Sequence, residues 1–330
     1  MKVNAEKMAE KIKEYCLSGK NNFEIYYHVN PDGDCIGSAY GLALILRELG
    51  AKCAVKGQDA VPLQFSTYTD VFENDIFSSP VLVGVDCKDR SRTGNESRNR
   101  TFDFWIDHHG SQNEEAEYEY VNSSASSCAE LVLTVAEKLG IKISPEAANL
   151  LFTGLVTDTN CFRTTSTDRY SFEAAAKLAG AGADINTISR RYALLKSEKR
   201  MNLEKILLES MHIMHEGRFV MMSLSLADLE SAGIESQDSP ELDSINGFPE
   251  IFETAVLTVM LREYPAGNGS NSTRFSVKSS VPEIHAGEIA EKLGGGGHAH
   301  AAGGYLELPL KEAGEKIEKT CSEYLKTAVK

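Results

Sequence analysis

The chain has 330 residues, 42% of them hydrophobic and 25% charged, with a formal net charge of −14 and a pI of about 5.1. That is enough chain for two globular domains, each with its own core. The acidic balance excludes an extended, sequence-independent grip on long duplex nucleic acid, which needs many Lys and Arg on phosphates, but it allows a small anion held beside bound cations.

In chain order, residues 5–18 predict a short opening helix and residues 24–29 (EIYYHV) a compact apolar strand. The turn Asn30-Pro31-Asp32-Gly33-Asp34 follows, then an Ala- and Leu-rich helix over 38–49. Residues 52–57, 81–86 (VLVGVD) and 102–107 (FDFWID) predict three further strands. Near-continuous apolar strands alternating with helices imply an α/β class, with an N-terminal parallel sheet carrying helices on both faces. Helices are expected over 126–139, 145–159 and 170–180. Residues 186–215 are charged and helical and predict a linking helix between a first domain (1–185) and a second (216–330). Strand patterns over 219–226, 254–262, 273–278 and 305–308, with helices near 226–232 and 285–293, make the second a smaller mixed α/β lobe.

The N-terminal stretch MKVNAEKMAEKIKEYC is charged and amphipathic, unlike a signal peptide or a membrane span. Seven cysteines lack the spacing of a disulfide framework. Cys35 and Cys87 also adjoin candidate metal carboxylates, so a soluble protein of the reducing cytoplasm, without a membrane partner, is expected.

The chemistry concentrates in four places: His28-x-x-x-Asp32-x-Asp34, Asp86, Asp107-His108-His109 and Asp158, most of them at the ends of apolar runs. Carboxylates and imidazoles suit first-row divalent ions such as Mn²⁺, and no paired thiolates are on offer. Ligands of open parallel sheets collect at the carboxyl ends of the strands. The resulting expectation has His28, Asp32 and Asp86 on one ion, and Asp34, Asp86, His108 and Asp158 on a second, with Asp86 shared. Ions about 3.5–4 Å apart would polarise a phosphoryl oxygen and activate a hydroxide. Asp107 is read as an acceptor that orients an imidazole, and His109 as a group reaching a phosphate oxygen. Taken singly, an Asp after a strand is more often a turn former or helix cap; the joint placement of four clusters favours a shared site. His212, His215 and His285 have no such company.

A second feature is Gly294, Gly295, Gly296 and Gly297 followed by His298, a run whose bare backbone N–H groups resemble a phosphate cradle. Arg274 and Lys278, on the strand pattern TRFSVK, are the nearest basic candidates for the same ligand, against the plainer reading of a solvated strand face.

These motifs resemble those of the DHH phosphoesterase family, and GGGGHAHAAGG resembles the signature of its associated C-terminal domain. The resemblance spans nearly the whole chain and looks most like the nanoRNase/pAp phosphatase branch. It implies a Mn²⁺-dependent enzyme with two lobes around a cleft, the first hydrolysing the phosphoester and the second holding nucleotide or phosphate through Gly295, Gly296, Gly297 and His298. The implied substrates are very short single-stranded oligonucleotides and 3′-phosphoadenosine 5′-phosphate. Many relatives carry arginine where Lys278 stands, and lysine keeps the charge without the planar fork. Rival expectations are a linear or cyclic dinucleotide phosphodiesterase, a polyphosphate or pyrophosphate hydrolase, and a non-catalytic nucleotide sensor; the sensor would be marked by missing ligands, and none is missing. Oligomeric state stays open, a homodimer included.

Overall fold

The computed structural model describes residues 1–68, 77–110, 115–237, 239–242, 245–265 and 271–327. The chain divides into two compact units, Met1–Leu195 and Lys196–Lys330. The first contains α1 (Ala5–Leu17), β1 (Asn22–Tyr26), α2 (Gly33–Glu48), β2 (Lys52–Lys56), β3 (Val81–Val85), β4 (Phe102–Asp107), β5 (Ala116–Val121), α3 (Cys128–Leu139), α4 (Pro145–Asp158), α5 (Arg169–Gly180) and α6 (Ile185–Ala193). Its five strands are all parallel, in the order β2-β1-β3-β4-β5. Strand order reverses between β1 and β3, so a crevice opens there at the carboxyl ends of the strands. Phe23, Ile25, Val83, Phe104 and Ile106 share the main core with Met8 and Ile12 of α1 and Ile36 of α2. Side chains alternating with these, Tyr26, Leu82 and Trp105, form a smaller cluster.

The sequence pattern does not reveal β5. Its residues AEYEYV alternate acid with tyrosine at the edge of the sheet, half-buried, without the apolar run that marks the inner strands. Nor does it place the start of α2, which begins at Gly33 rather than near Ser38. Asp32 caps this helix, its carboxylate accepting from the N–H groups of Asp34 and Cys35 at 3.1 and 3.0 Å, so both aspartates of the motif lie on the helix entrance.

Helices α2 and α4 approach closely because glycine faces glycine. A Cβ on Gly37 would lie 2.3 Å from the Leu150 carbonyl oxygen and 2.9 Å from the Gly154 nitrogen, backbone atoms that cannot turn aside. Asp34 and Asp158 ride on these two helices, so their spacing is set by that contact.

The second unit contains α7 (Glu198–Glu209), β6 (His212–Met214), β7 (Phe219–Leu224), α8 (Leu226–Ser231), β8 (Leu257–Tyr264), β9 (Ser272–Ser279), α9 (Ala286–Lys292), β10 (Gly296–Gly297), β11 (Ala301–Leu306) and α10 (Leu310–Thr327). Its mixed sheet runs β10-β11-β9-β8-β7-β6, antiparallel except for the β7–β8 pair. The α/β class is therefore what the structure shows, as a parallel sheet with helices and a separate mixed sheet. In place of one linking helix over 186–215 there are two, α6 and α7. Leu194 ends the first, and Ser197 opens the second by accepting from the Arg200 N–H. The unit boundary falls in that break. Helix α10, unread in the sequence, buries Ala313, Ile317, Cys321 and Leu325 at four-residue spacing along one face. No helix of the described residues is long and apolar enough to cross a membrane.

Gly37→Ala should cost about 1–3 kcal/mol, the usual penalty of overpacking a tight core, and displace Asp34 from Asp158. Urea unfolding with and without divalent metal checks this: the variant should lose stability in both conditions and gain less from metal than the wild type.

Candidate metal centre

The strand ends deliver the acidic and histidine side chains to one crevice. His28 follows β1, Asp86 directly follows β3 and Asp107 is the last residue of β4, while Asp158 is the last residue of α4. Asp86 itself adopts φ 58°, a left-handed backbone that a non-glycine residue rarely takes. Its N–H donates to the Ile106 carbonyl at 3.0 Å, which holds the turn against β4. Strained backbone of this kind clusters at functional sites.

Hydrogen bonds orient both imidazoles that face the acids. The His28 Nδ1–H donates to the Val29 carbonyl at 2.8 Å, and the His108 Nδ1–H reaches the Ala125 carbonyl at 3.3 Å. Each Nε2 lone pair is thereby turned to carboxylates. His28 Nε2 lies 3.5 Å from Asp32 Oδ2 and 3.8 Å from Asp86 Oδ2. His108 Nε2 lies 3.3 Å from Asp158 Oδ2, 3.4 Å from Asp86 Oδ1 and 3.9 Å from Asp34 Oδ2. Asp107 Oδ1 accepts both the backbone N–H of His109, at 3.0 Å, and its ring Nδ1–H, at 2.8 Å. The imidazole that Asp107 orients is therefore that of His109. All eight side chains of the expected first-domain site meet here, with Asp86 beside both histidine groups.

The residues present fit divalent ions. Three sets bring their potential ligand atoms within 4.8 Å of one another: His28, Asp32 and Cys35; Asp86, His108 and His109; and Asp34, His108 and Asp158. Donors each about 2.1 Å from one ion stand about 3–3.5 Å apart, the scale of the His108 contacts with Asp158 and Asp86 at 3.3 and 3.4 Å. Asp86 Oδ1 and Asp107 Oδ2 are buried with no hydrogen-bond partner. Burial, followed by the neighbouring charges of Asp34 and Asp32, pushes the Asp86 carboxyl well above its usual range and raises Asp158 to about 9. Burial raises Asp34 too, against the pull of His108. Asp32 goes the other way: burial would raise it, but the hydrogen bond and charge of His28, with the N–H groups of Cys35 and Asp34, bring it down to about 2. The hydrogen bond to Asp107 raises His109 and favours its imidazolium. Such a crowd of acids is stable as carboxylates only beside concentrated positive charge.

Sequence reasoning missed Arg92. It lies on a 3-10 turn, Arg90–Thr93, just beyond Asp86, and its Nη2 stands 3.4 Å from His28 Nδ1. In the sequence it belongs to a charged run, KDRSRTGNESRNR, that reads as solvated loop; the signal available was its nearness to Asp86.

The second-unit candidates fall on one sheet. Arg274 and Lys278 alternate with the buried residues of β9 and are half-buried. Arg274 pairs in register with Arg262 on β8 and Tyr305 on β11, its guanidinium 5.9 Å from the Tyr305 ring centre. Arg262, also unread in the sequence, donates to the Tyr264 hydroxyl. Lys278 forms an ion pair with Glu250 at 2.5 Å. The glycine run is not an open loop: Gly296 and Gly297 pair with Gly303 and Ala302, and the His298 N–H donates to the Ala301 carbonyl at 2.8 Å. Gly297 has φ 151°, and a Cβ there would come within 2.5 Å of Ala302 Cα, so the tight hairpin requires glycine. Gly295 is half-buried, whereas Gly296, Gly297 and His298 are exposed along this edge.

Residues 22–155 match the DHH family, N-terminal domain, and residues 245–327 match the DHHA1 domain. Over 305 residues the chain is 30% identical to the bifunctional oligoribonuclease and PAP phosphatase NrnA of Thermus thermophilus, covering 91% of this chain and 89% of that one. The chain belongs to the DHH family. Its similarity runs to the oligoribonuclease and PAP phosphatase branch, including a probable NrnA of Streptococcus mutans at 25% identity over 303 residues, 89% of this chain and 90% of that one. Among solved structures, an exopolyphosphatase-related protein from Bacteroides fragilis shares the DHH-family fold, with a TM-score of 0.78 at 23% identity over 97% of this chain and 96% of that one.

Asp158 ordinarily titrates near 3.8 and is raised to about 9 here. Between those values the folded protein keeps a proton that the unfolded chain releases, so metal-free stability should fall as pH rises through the window. Thermal melts across that range should show the slope without divalent cations and a flattened slope with them. Asp86→Asn should raise the metal-free melting temperature at neutral pH and abolish the gain from metal.

Proposed function

We propose that the chain is a divalent-metal-dependent phosphoesterase that cleaves very short oligonucleotides to mononucleotides and 3′-phosphoadenosine 5′-phosphate to AMP. The observation that carries this reading is the shared position of Asp86 between the two histidine-bearing acidic groups. Its full-length similarity to the T. thermophilus protein supports the substrate class.

In this reading His28, Asp32 and Asp86 hold one ion, and Asp34, Asp86, His108 and Asp158 hold the other. Two divalent ions, taken as Mn²⁺ from the oxygen and nitrogen donors, supply Lewis acidity toward the phosphoryl oxygens and a nucleophile at neutral pH. The chain's own work is positioning and proton transfer. Asp34 is fixed by the Cys128 and Ala129 N–H groups, at 2.5 and 3.0 Å, and by the Ser38 hydroxyl at 3.0 Å, so its carboxylate cannot swing away. Asp107 keeps the proton on Nδ1 of His109 and leaves Nε2 to meet the substrate. There the imidazolium Nε2–H gives its proton to the oxygen that leaves, as the oxygen of an incoming hydroxide bonds to phosphorus and the ester P–O bond breaks. In the second unit Arg274, with Lys278, the Gly295–Gly297 edge and His298, binds the nucleotide or its far phosphate. The reading places the enzyme in the cytoplasm, acting on substrates short enough to need few phosphate contacts.

The decisive assay incubates the protein and Mn²⁺ with a 5′-phosphorylated dinucleotide, 3′-phosphoadenosine 5′-phosphate and a longer single-stranded RNA. Turnover of the first two, with little of the third, is expected. Preference for the long strand, or silence on all three, would overturn the substrate assignment. Asp86→Ala should abolish turnover while circular dichroism stays native. Arg274→Ala should raise KM about tenfold or more, the scale of one lost charge-assisted hydrogen bond, with kcat changed far less.

A further inference from the structure

The 87–100 segment carries several cations, and their partners divide them. Arg90 is neutralised by Glu115, whose Oε2 accepts from its Nε at 3.1 Å and its backbone N–H at 2.9 Å. Arg100 is tied to buried Glu24 at 3.0 Å and to the Tyr26 hydroxyl. Arg92 is different. Among the described residues no carboxylate lies within ion-pair distance of it, although its charge is felt by His109 and Cys87, which flank the crowd of aspartates. A half-buried guanidinium that stands at His28, a side chain of the metal crevice, and pairs with no carboxylate among the described residues is placed to meet another anion.

Its backbone is anchored. The Arg92 carbonyl accepts from the Val29 N–H at 2.7 Å, and its N–H donates to the Asp89 carbonyl at 3.1 Å, so the turn is stitched to the segment that presents His28. The contact with His28 is not a hydrogen bond that commits the side chain. His28 Nδ1 already gives its proton to the Val29 carbonyl, and two donors cannot bond each other. Arg92 therefore meets the imidazole at its Nδ1 without bonding to it, and keeps its own donors unspent there.

We propose that Arg92 contacts substrate, its guanidinium binding a non-bridging oxygen of the phosphoryl group brought to the metal centre. This rests on the phosphoesterase reading and adds a specific oxyanion donor to it. The planar fork suits two phosphoryl oxygens, and positive charge placed before the reaction stabilises what accumulates on those oxygens as the P–O bond breaks. Arg92 and the His109 imidazolium would then approach the group from the protein side. No bond to Arg92 forms or breaks, and it neither gives nor takes a proton.

The test compares wild type, Arg92→Ala and Arg92→Lys, all loaded with Mn²⁺. Bound Mn²⁺ is counted first, because a residue that only positions His28 would lose metal when removed. Orthophosphate, the simplest phosphoryl probe, is then titrated calorimetrically, and dinucleotide turnover is followed with and without methylguanidinium. Arg92→Ala should keep its full complement of Mn²⁺, bind orthophosphate at least about tenfold more weakly, and lose about 10²–10³ in kcat with a smaller change in KM. Methylguanidinium should restore part of the rate, and lysine should recover less than arginine supplies. Wild-type phosphate affinity and kcat in Arg92→Ala, or loss of its Mn²⁺, would overturn the proposal. Should the wild type bind orthophosphate through Arg92 yet cleave no nucleotide, Arg92 stands as the anion contact and the substrate reading fails.

Discussion

Asp32, Asp34, Asp86, Asp107 and Asp158 end in one crevice, and mutual repulsion at short range in a poorly solvated place governs everything around them. Taking such groups out of water disfavours their charge, and each charged neighbour disfavours the next. The outcome is visible in Asp86 and Asp158, whose carboxyls are pushed far above the usual range. A protein built for stability alone would replace these residues with apolar ones. Retaining them couples the stability of the N-terminal unit to the cations it binds, because positive charge relieves the same repulsion that holds the metal-free protein back.

The scaffold has to hold these groups against that force. Asp34 is pinned at the start of α3, where two backbone N–H groups and the positive end of the helix dipole meet its carboxylate. Gly37 and Gly154 let α2 and α4 close on each other, so an aspartate from each faces the same imidazole. Backbone strain flanks the site as well. Asp86 is left-handed, and Asn160, Cys161 and Phe162 continue in left-handed conformations just past Asp158. Sheet pairing at β3 and β4 and the packing of α4 supply the energy that keeps those turns in place.

What could be read from the sequence follows from where the chemistry lies in the chain. His28, Asp86 and Asp107 close apolar runs, and a run of that kind announces a buried strand whose end faces a crevice. Elements with mixed patterns were harder. The edge strand β5 alternates acid with tyrosine, and α10 hides an apolar stripe inside LKEAGEKIEKTCSEYLKT. The glycine run shows the limit of composition: four bare residues suggest an open cradle, whereas Gly296 and Gly297 are spoken for by strand pairing on one side. Lys278 reads as a basic candidate for the ligand, but Glu250, distant in sequence, meets it. Arg92 was illegible for the converse reason, since its difference from Arg90 and Arg100 lies wholly in which of them the fold supplies with a carboxylate.

That distribution of cations bears on the size of ligand the protein can favour. With a net charge of −14, the surface as a whole repels a polyanion, and Arg90, Arg100 and Lys278 are each offset by an acid. At the candidate sites, Arg92 in one unit and Arg274 in the other have no ion-pair partner among the described residues, and with the ion-binding crevice they offer positive charge that a phosphate can meet. Each added nucleotide brings another phosphate that needs a cation and finds an acidic surface instead. A ligand with one or two phosphates meets the local cations without that cost, so the charge balance that looks unfavourable for nucleic acid at the level of the whole chain becomes a filter for short substrates at the level of the site.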